Sequence, residues 1–368
     1  MNPSFWRGKR VLVTGHTGFK GSWLSLWLQY MGADVAGYAL PPDAADSLFQ
    51  EAAVDSNMAS IMGDIRDFDL LSQTVARHNP EIVFHLAAQP IVRTSYQMPV
   101  ETFDINTMGT VHVLQALRHA CSIRSIVVVT TDKCYENREW CWSYREDDAL
   151  GGRDPYSASK ACAEIVTSSF RRSFFLDRVG IATARAGNVF GGGDWAPNRI
   201  IPDAIRAFAK NRPLVVRNPT AIRPWQHVLE PLAGYLLLAE QLFLHCTEFS
   251  GAWNFGPREE DAVTVGALAD LITHSWGGGT WHSSPNVPDL HESMLLRLDS
   301  SRATQLLRWR PCWSLPYAIQ QTTKWYRAHE QGATLREFTI EQISQYIRQA
   351  NEQQHHHTGM PKLWQRSA

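Results

Sequence analysis

The chain has 368 residues, a formal net charge of -1, 44% hydrophobic and 19% charged residues. That is a globular composition, long enough for one large domain with a smaller one attached. Its balanced charge excludes the broad basic field that a nucleic-acid or membrane-surface partner requires. The six cysteines, at 121, 134, 141, 162, 246 and 312, contain no CxxC pair and no metal-ligand rhythm. They read as free thiols of a cytoplasmic protein, with no metal site.

"MNPSFWRGKRVLVTG" reaches a strand, "RVLVTG" (10–15), too early to accommodate a secretory leader. "GSWLSLWLQYMG" (21–32) then carries apolar residues at helical spacing, and "DVAGYAL" is the second strand. A short run "SIMGD", a helix over 67–78 and the apolar "EIVFHLAA" follow. A helix centred on "TMGTVHVLQALRHA" leads into "RSIVVVTTD"; "YSASKACAEIVTSSFRRSF" is helical and "VGIATARAGNV" is again a buried strand. Strands that are apolar throughout and alternate with helices predict an α/β fold: a doubly wound parallel (Rossmann) sheet covered on both faces. The rhythm breaks near residue 190. The predicted division is a dinucleotide-binding domain at 1–190 with returning segments near 225–256, such as "GAWNFG". A smaller mixed α/β substrate-binding domain takes 191–224 and 257–350, and a polar tail takes 351–368. "LAGYLLLAEQLFL" from Leu232 is interrupted by Glu240 and Gln241 and reads as a buried helix, not a membrane span.

"VTGHTGFKG" places Gly15, Gly18 and Gly21 between the first strand and the first helix. Glycines there let the backbone approach a diphosphate, and the helix N-terminus offers N–H donors and partial positive charge. The acid expected about 20 residues on, for a ribose hydroxyl, is missing: the second strand ends "GYALPP", with Asp43 just beyond. No Lys or Arg occurs between Lys20 and Arg66, so little is available for a 2′-phosphate, and NAD is favoured over NADP.

"YSASK" puts Tyr156 and Lys160 on one helix face. A lysine cation beside a phenol is expected to lower its pKa from about 10 towards neutrality, making Tyr156 a base for a sugar hydroxyl. The strand-end hydroxyl Thr131 stands with them, followed by Asp132 and Lys133. His85 and His227 read as packing histidines, and Glu164 as structural. Arg93 and Tyr96 serve either as the floor of a sugar pocket or on the surface.

The glycine loop, "HLAAQ" (85–89), Asn106, Thr131, "YSASK" and "RAGNVFG" (185–191) together resemble an extended short-chain dehydrogenase/reductase acting on nucleotide sugars, over about residues 8 to 330. The resemblance implies NAD held by Gly15, Thr17, Gly18, Phe19 and Gly21, with Asp64 and Ile65 near adenine. It puts Leu86, Ala87, Ala88 and Gln89 along the cofactor path with Tyr156 and Lys160. Asn188 and Arg199 are candidates for the diphosphate, Asn188 the better one. "IRPWQHV" (222–228) resembles the diphosphate clamp, with Arg223 as bidentate donor, and "HESMLLRLDSSRATQLLRWRP" (291–311) the C-terminal recognition segment. Pairing through helices around 99–119 and 155–173, as a homodimer or a dimer of dimers, is implied as well.

Redox interconversion alone needs the Thr, Tyr and Lys; an adjacent acid points to elimination. Oxidation at C4 of a hexose acidifies the C5 proton, whose removal expels the C6 hydroxyl as water once an acid protonates it. "TDK" with "TGHTGFKG" and "GNVFGGGDW" resembles the 4,6-dehydratases of this family, with CDP-glucose the favoured substrate. Asp132 is then the C6 acid and Tyr156 the C4 base. Other dehydratases carry an acid at the position of Lys133. Lys133 is either the C5 base, which requires a pKa about 3 units below its usual value, or a cation that stabilises the C4 enolate. Rival readings are a nucleotide-sugar 4-epimerase, a dehydratase for another nucleotide, or a non-catalytic NAD-binding regulator.

Overall fold

The structure is a computed structural model that describes residues 2–42, 44–284 and 295–357. Seven strands form the main sheet: β1 (Arg10–Thr14), β2 (Asp34–Ala39), β3 (Ala59–Met62), β4 (Ile82–His85), β5 (Ser125–Val129), β6 (Gly180–Ala186) and, from much later in the chain, β10 (Gly251–Phe255). Their order is β10-β6-β5-β4-β1-β2-β3, and every pairing is parallel. Chain direction across the sheet reverses between β1 and β4, where Val11 lies opposite Ile82 and Thr14 opposite His85. A crevice opens beyond the strand ends at such a switch point.

The uninterrupted apolar strands serve two cores. Val11 and Val13 of β1 and Val127 and Val129 of β5 face one layer, with Trp23, Trp27 and the helix Leu229–Leu244. Leu12, Ile126 and Val128 face the other, with Val113, Leu114 and Leu117 of the helix Gly109–Leu117. The period-2 alternation thus divides neighbouring side chains between faces that are both covered. The helix Leu229–Leu244 is buried on nearly all sides. Among the described residues no helix is long and apolar enough to cross a membrane.

The remaining strands are β7 (Asn188–Phe190), β8 (Leu214–Val216), β9 (Ile222–His227), β11 (Ala262–Thr264) and β12 (Trp281–Ser283). They build a three-stranded mixed sheet, β11-β9-β7, and a two-stranded one, β12-β8. "VGIATARAGNV" is therefore not one strand. It breaks at Gly187, and β7 leaves the main sheet to pair with β9, Asn188 opposite Trp225. Close packing forces the break: a Cβ on Gly187 would stand 2.8 Å from Pro224 Cγ and 3.1 Å from Asp132 Oδ2. The segment from residue 351, expected as a polar tail, is helical as far as His357, the end of the helix Leu335–His357. Asp43 and residues 291–294 of the expected recognition segment lie outside the described residues.

Candidate active site

The turn after β1 is shaped to admit a dinucleotide backbone. Gly15 has φ +78°, and a Cβ there would stand 2.7 Å from the Ala87 nitrogen, so the loops leaving β1 and β4 touch. Any side chain at 15 would close that approach. Gly18 caps the helix Phe19–Tyr30, leaving the first-turn N–H groups at the crevice. Thr17 is tied inward, its hydroxyl donating to the Leu40 carbonyl at 2.8 Å. On the facing loop, the Ala87 N–H donates to Thr14 Oγ1 at 3.3 Å and the Gln89 N–H to Asn106 Oδ1 at 2.9 Å. Asn106 in turn donates to Ser159 Oγ at 2.9 Å, linking residues 86–89 to the helix Pro155–Phe170. Asp64 is held below its ordinary carboxylate range by Arg66, whose Nη2 lies 2.6 Å from Oδ2; Ile65 is buried against Gly109. These residues fit a dinucleotide at this edge.

The acid and amines gather where β5 ends. Thr131 caps the short helix Asp132–Cys134: its Oγ1 accepts from the Lys133 N–H at 3.3 Å and donates to Asp132 Oδ1 at 3.0 Å. Asp132 is 3% exposed. Burial raises its carboxyl above the usual range, against the pull of Lys133, the Thr131 hydrogen bond, Arg223 and Lys20. Asp154 caps the helix that carries Tyr156 and Lys160, its Oδ1 accepting from the Ser157 N–H at 2.9 Å. The Tyr156 phenol is hydrogen-bonded to Thr131, so Thr131 stands between phenol and acid. Lys133 is half-buried on the turn beside them.

One expectation is corrected here. The Tyr156 phenol is pushed up to about 12 by burial instead of falling towards neutrality. Lys160 does not offset this, because its Nζ donates to the Val129 carbonyl at 3.2 Å. Burial brings Lys160 itself down to about 8, while Glu164 opposes that shift. Glu164 is wholly engaged: it accepts from Thr130, from Thr183 at 2.6 Å, and from Arg185 Nε and Nη2, both at 2.9 Å. His85 and His227 are buried and held down to about 3 by desolvation.

On the facing side, Arg199 caps the helix Ile200–Phe208 and pairs with Asp194 at 2.9 Å, and its charge reaches Tyr156. Arg223 lies on β9 and stabilises the Asp132 carboxylate. Asn188 opens β7, at the exit of the Gly187 break. Arg93 is half-buried in the helix Val92–Gln97, while Tyr96 is 38% exposed. Lys20, read in the sequence only for its bearing on a 2′-phosphate, joins the cluster. Burial, then Arg199 and Lys160, bring it down to about 8, with Asp132 and Asp194 opposing. Its place in the first helical turn after Gly18 was the available signal. Gly187 gave less warning, since only the fold shows that it makes room for Asp132.

The chain matches the family described as GDP-mannose 4,6 dehydratase over residues 12–247. It is also 50% identical over 355 residues to the CDP-glucose 4,6-dehydratase of Salmonella typhimurium, an alignment covering 94% of this chain and 98% of the relative. The chain belongs to the GDP-mannose 4,6 dehydratase family. Within the extended short-chain dehydrogenase/reductases it falls in the nucleotide-sugar dehydratase group. The same fold recurs in the dTDP-glucose 4,6-dehydratase of Streptomyces venezuelae, solved with NAD: TM-score 0.76, 22% identity, 88% of this chain and 98% of that one. It recurs in the UDP-glucuronic acid 4-epimerase of Bacillus cereus, solved with UDP-glucuronic acid and NAD: TM-score 0.75, 22% identity, 87% and 99% covered.

Proposed function

We propose that this family member is an NAD-dependent CDP-glucose 4,6-dehydratase that converts CDP-glucose into CDP-4-keto-6-deoxyglucose. The observation that carries the dehydration is a buried carboxyl group, Asp132, hydrogen-bonded to the Thr131 hydroxyl beside Tyr156, with burial shifting its pKa upward, towards the range a proton donor needs. An epimerase has no use for such an acid, whereas loss of the C6 hydroxyl as water requires one. The 50% identity to a CDP-glucose 4,6-dehydratase, extending over nearly the whole of both chains, supports the choice of nucleotide.

NAD, when bound, supplies the hydride acceptor for C4 and the donor that returns the hydride to C6. Gly15, Gly18 and the first-turn N–H groups that follow hold its diphosphate, and residues 86–89 line its path. Tyr156 takes the proton of the C4 hydroxyl, relayed through its hydrogen bond with Thr131. Its phenol, about 12 in the protein alone, has to lose that proton beside cationic charge, which Arg199 supplies in the protein itself and the nicotinamide of bound NAD would add. Lys133 removes the C5 proton, and Asp132 hands its own to the departing C6 oxygen. Arg223 and Asn188 bind the substrate diphosphate. Arg199, whose charge reaches Tyr156, and Arg93 are assigned to the substrate as well.

Incubation with NAD and, in parallel, CDP-glucose, GDP-mannose, dTDP-glucose and UDP-glucose tests this directly. The alkaline absorbance of a 4-keto-6-deoxy sugar is expected with CDP-glucose first. Epimerised sugar without that chromophore would reject the dehydratase assignment, and faster turnover of another nucleotide would reject the cytidine assignment.

A further inference from the structure

A second cleft lies behind the helix that carries Tyr156, and the reaction proposed above makes no use of it. About 570 Å³ in volume, it is lined by the C-terminal half of the helix Pro155–Phe170, the edge strand β10 and its neighbour β6, and the segment at Glu146. Arg171, Arg172 and Arg302 line it. Two of these guanidinium groups converge on the first residue of β10. A Cβ on Gly251 would stand 3.7 Å from Arg171 Nη1 and 3.6 Å from Arg302 Nη2. Glycine at 251 leaves that space open.

Arg302 is fixed in place: Nη1 donates to the Ala252 carbonyl at 3.0 Å, and its guanidinium carbon lies 4.4 Å from the centre of the Trp253 ring. Arg171 has no hydrogen-bond acceptor or ion-pair partner among the described residues. Burial, then its neighbours Arg172 and Arg302, disfavour its charge, against the more distant pull of Glu164. The carboxylates of the cleft do not satisfy it. Glu164 is spent on Arg185, Thr183 and Thr130. Glu146 accepts from the Asn254 N–H at 2.9 Å, its carboxyl raised by burial, and Asp147 is exposed at the rim. Guanidinium forks that face one another repel, and an oxyanion with several acceptor oxygens relieves that repulsion while giving Arg171 the acceptor it lacks among the described residues.

We propose that this cleft is a binding site, separate from the catalytic crevice, for a small phosphate-bearing anion held between Arg171 and Arg302. The chemistry fits inorganic phosphate or a phosphate monoester such as a sugar phosphate. Both present the planar face of oxygens that guanidinium forks pair with. The site backs onto Glu164 and Arg185, which brace Thr130 next to the catalytic Thr131.

The test is calorimetric titration of the full-length, NAD-loaded protein with inorganic phosphate and, separately, with glucose 6-phosphate. Saturable binding of at least one is expected. Tighter binding of the monoester identifies a metabolite as the ligand, and equal binding identifies free phosphate. Arg171→Gln should weaken binding at least about tenfold, the loss of one charge-assisted contact. Arg223→Gln, in the substrate cleft, should leave it unchanged. Arg302→Lys keeps the charge and the stem over Trp253 but loses the fork, and should weaken binding several-fold. It gives an independent answer if Arg171→Gln does not fold. Failure of both anions to bind the wild type would overturn the proposal. So would binding that both arginine variants retain in full, or binding that only Arg223→Gln removes.

Discussion

Replacing Asp132 by asparagine separates the two halves of the proposed reaction. The substitution is nearly isosteric, and the Thr131 hydroxyl, now 3.0 Å from Oδ1, keeps a carbonyl oxygen to donate to. Gly187 leaves the second branch of the side chain the same space, since its Cβ position is 3.1 Å from Oδ2. Thr131, Tyr156 and Lys160 are untouched. What disappears is the ability to donate a proton, at a carboxyl whose pKa burial raises above the ordinary range. A positioned general acid contributes roughly 10²–10⁴ in rate, so the elimination barrier should rise by about 3–5 kcal/mol while the first oxidation changes little. Single-turnover mixing of NAD-loaded protein with CDP-glucose reads both steps: reduced-cofactor absorbance for oxidation, rapid quench for product. The variant should accumulate reduced cofactor and release product slowly. In the wild type the elimination rate should fall as pH rises through the Asp132 pKa, and this limb should be absent from Asp132→Asn. Equal slowing of both steps, or a variant as fast as the wild type, would remove Asp132 from the acid role.

Lys133→Met should likewise allow oxidation but lower product formation by about 10²-fold or more, with loss of solvent-deuterium incorporation at C5. Lys133→Glu should restore part of it, and exchange that survives in the methionine variant would exclude the lysine as base. Glu230 accepts from the Cys312 and Trp313 N–H groups at 2.8 and 2.7 Å and from the Tyr346 hydroxyl at 2.6 Å. Glu230→Leu should therefore cost about 3–6 kcal/mol in urea unfolding, because three buried donors lose their acceptor; a loss below about 1 kcal/mol would show that they find other partners. His85 and His227, at about 3 when folded and 6.5 when not, bind protons more readily in the unfolded chain. Their stabilisation is complete above the unfolded value and declines as pH falls towards about 3. At pH 5 each should have withdrawn about 2 kcal/mol relative to pH 7, and His227→Gln should remove its share of that slope. Unfolding curves that coincide at the two pH values would refute it.

The parallel sheet and its glycine turn were legible because strands buried on both faces leave an unbroken apolar record that alternates with helical periodicity. Thr131, Tyr156 and Lys160 were legible for a similar reason: each is tied to a strand end or a helix face whose geometry follows from local spacing. Their protonation was not. The expectation that Lys160 lowers the Tyr156 pKa assumed a solvated pair, whereas both groups are buried and Lys160 is turned to the Val129 carbonyl. The break at Gly187 leaves no local signal either, since it depends on Pro224 and Asp132, which approach only once β9 has folded back. The buried Glu164–Arg185 pair lies 21 positions apart in the chain and leaves no local pattern.

Intramolecular hydride return after loss of water is the step that distinguishes this dehydration from epimerisation. CDP-glucose carrying deuterium at C4, turned over by the NAD-loaded protein in ordinary water, should give a 4-keto-6-deoxy product with that deuterium on the C6 methyl group. Deuterium restored to C4 of an epimerised sugar, or recovered in released cofactor, would contradict it.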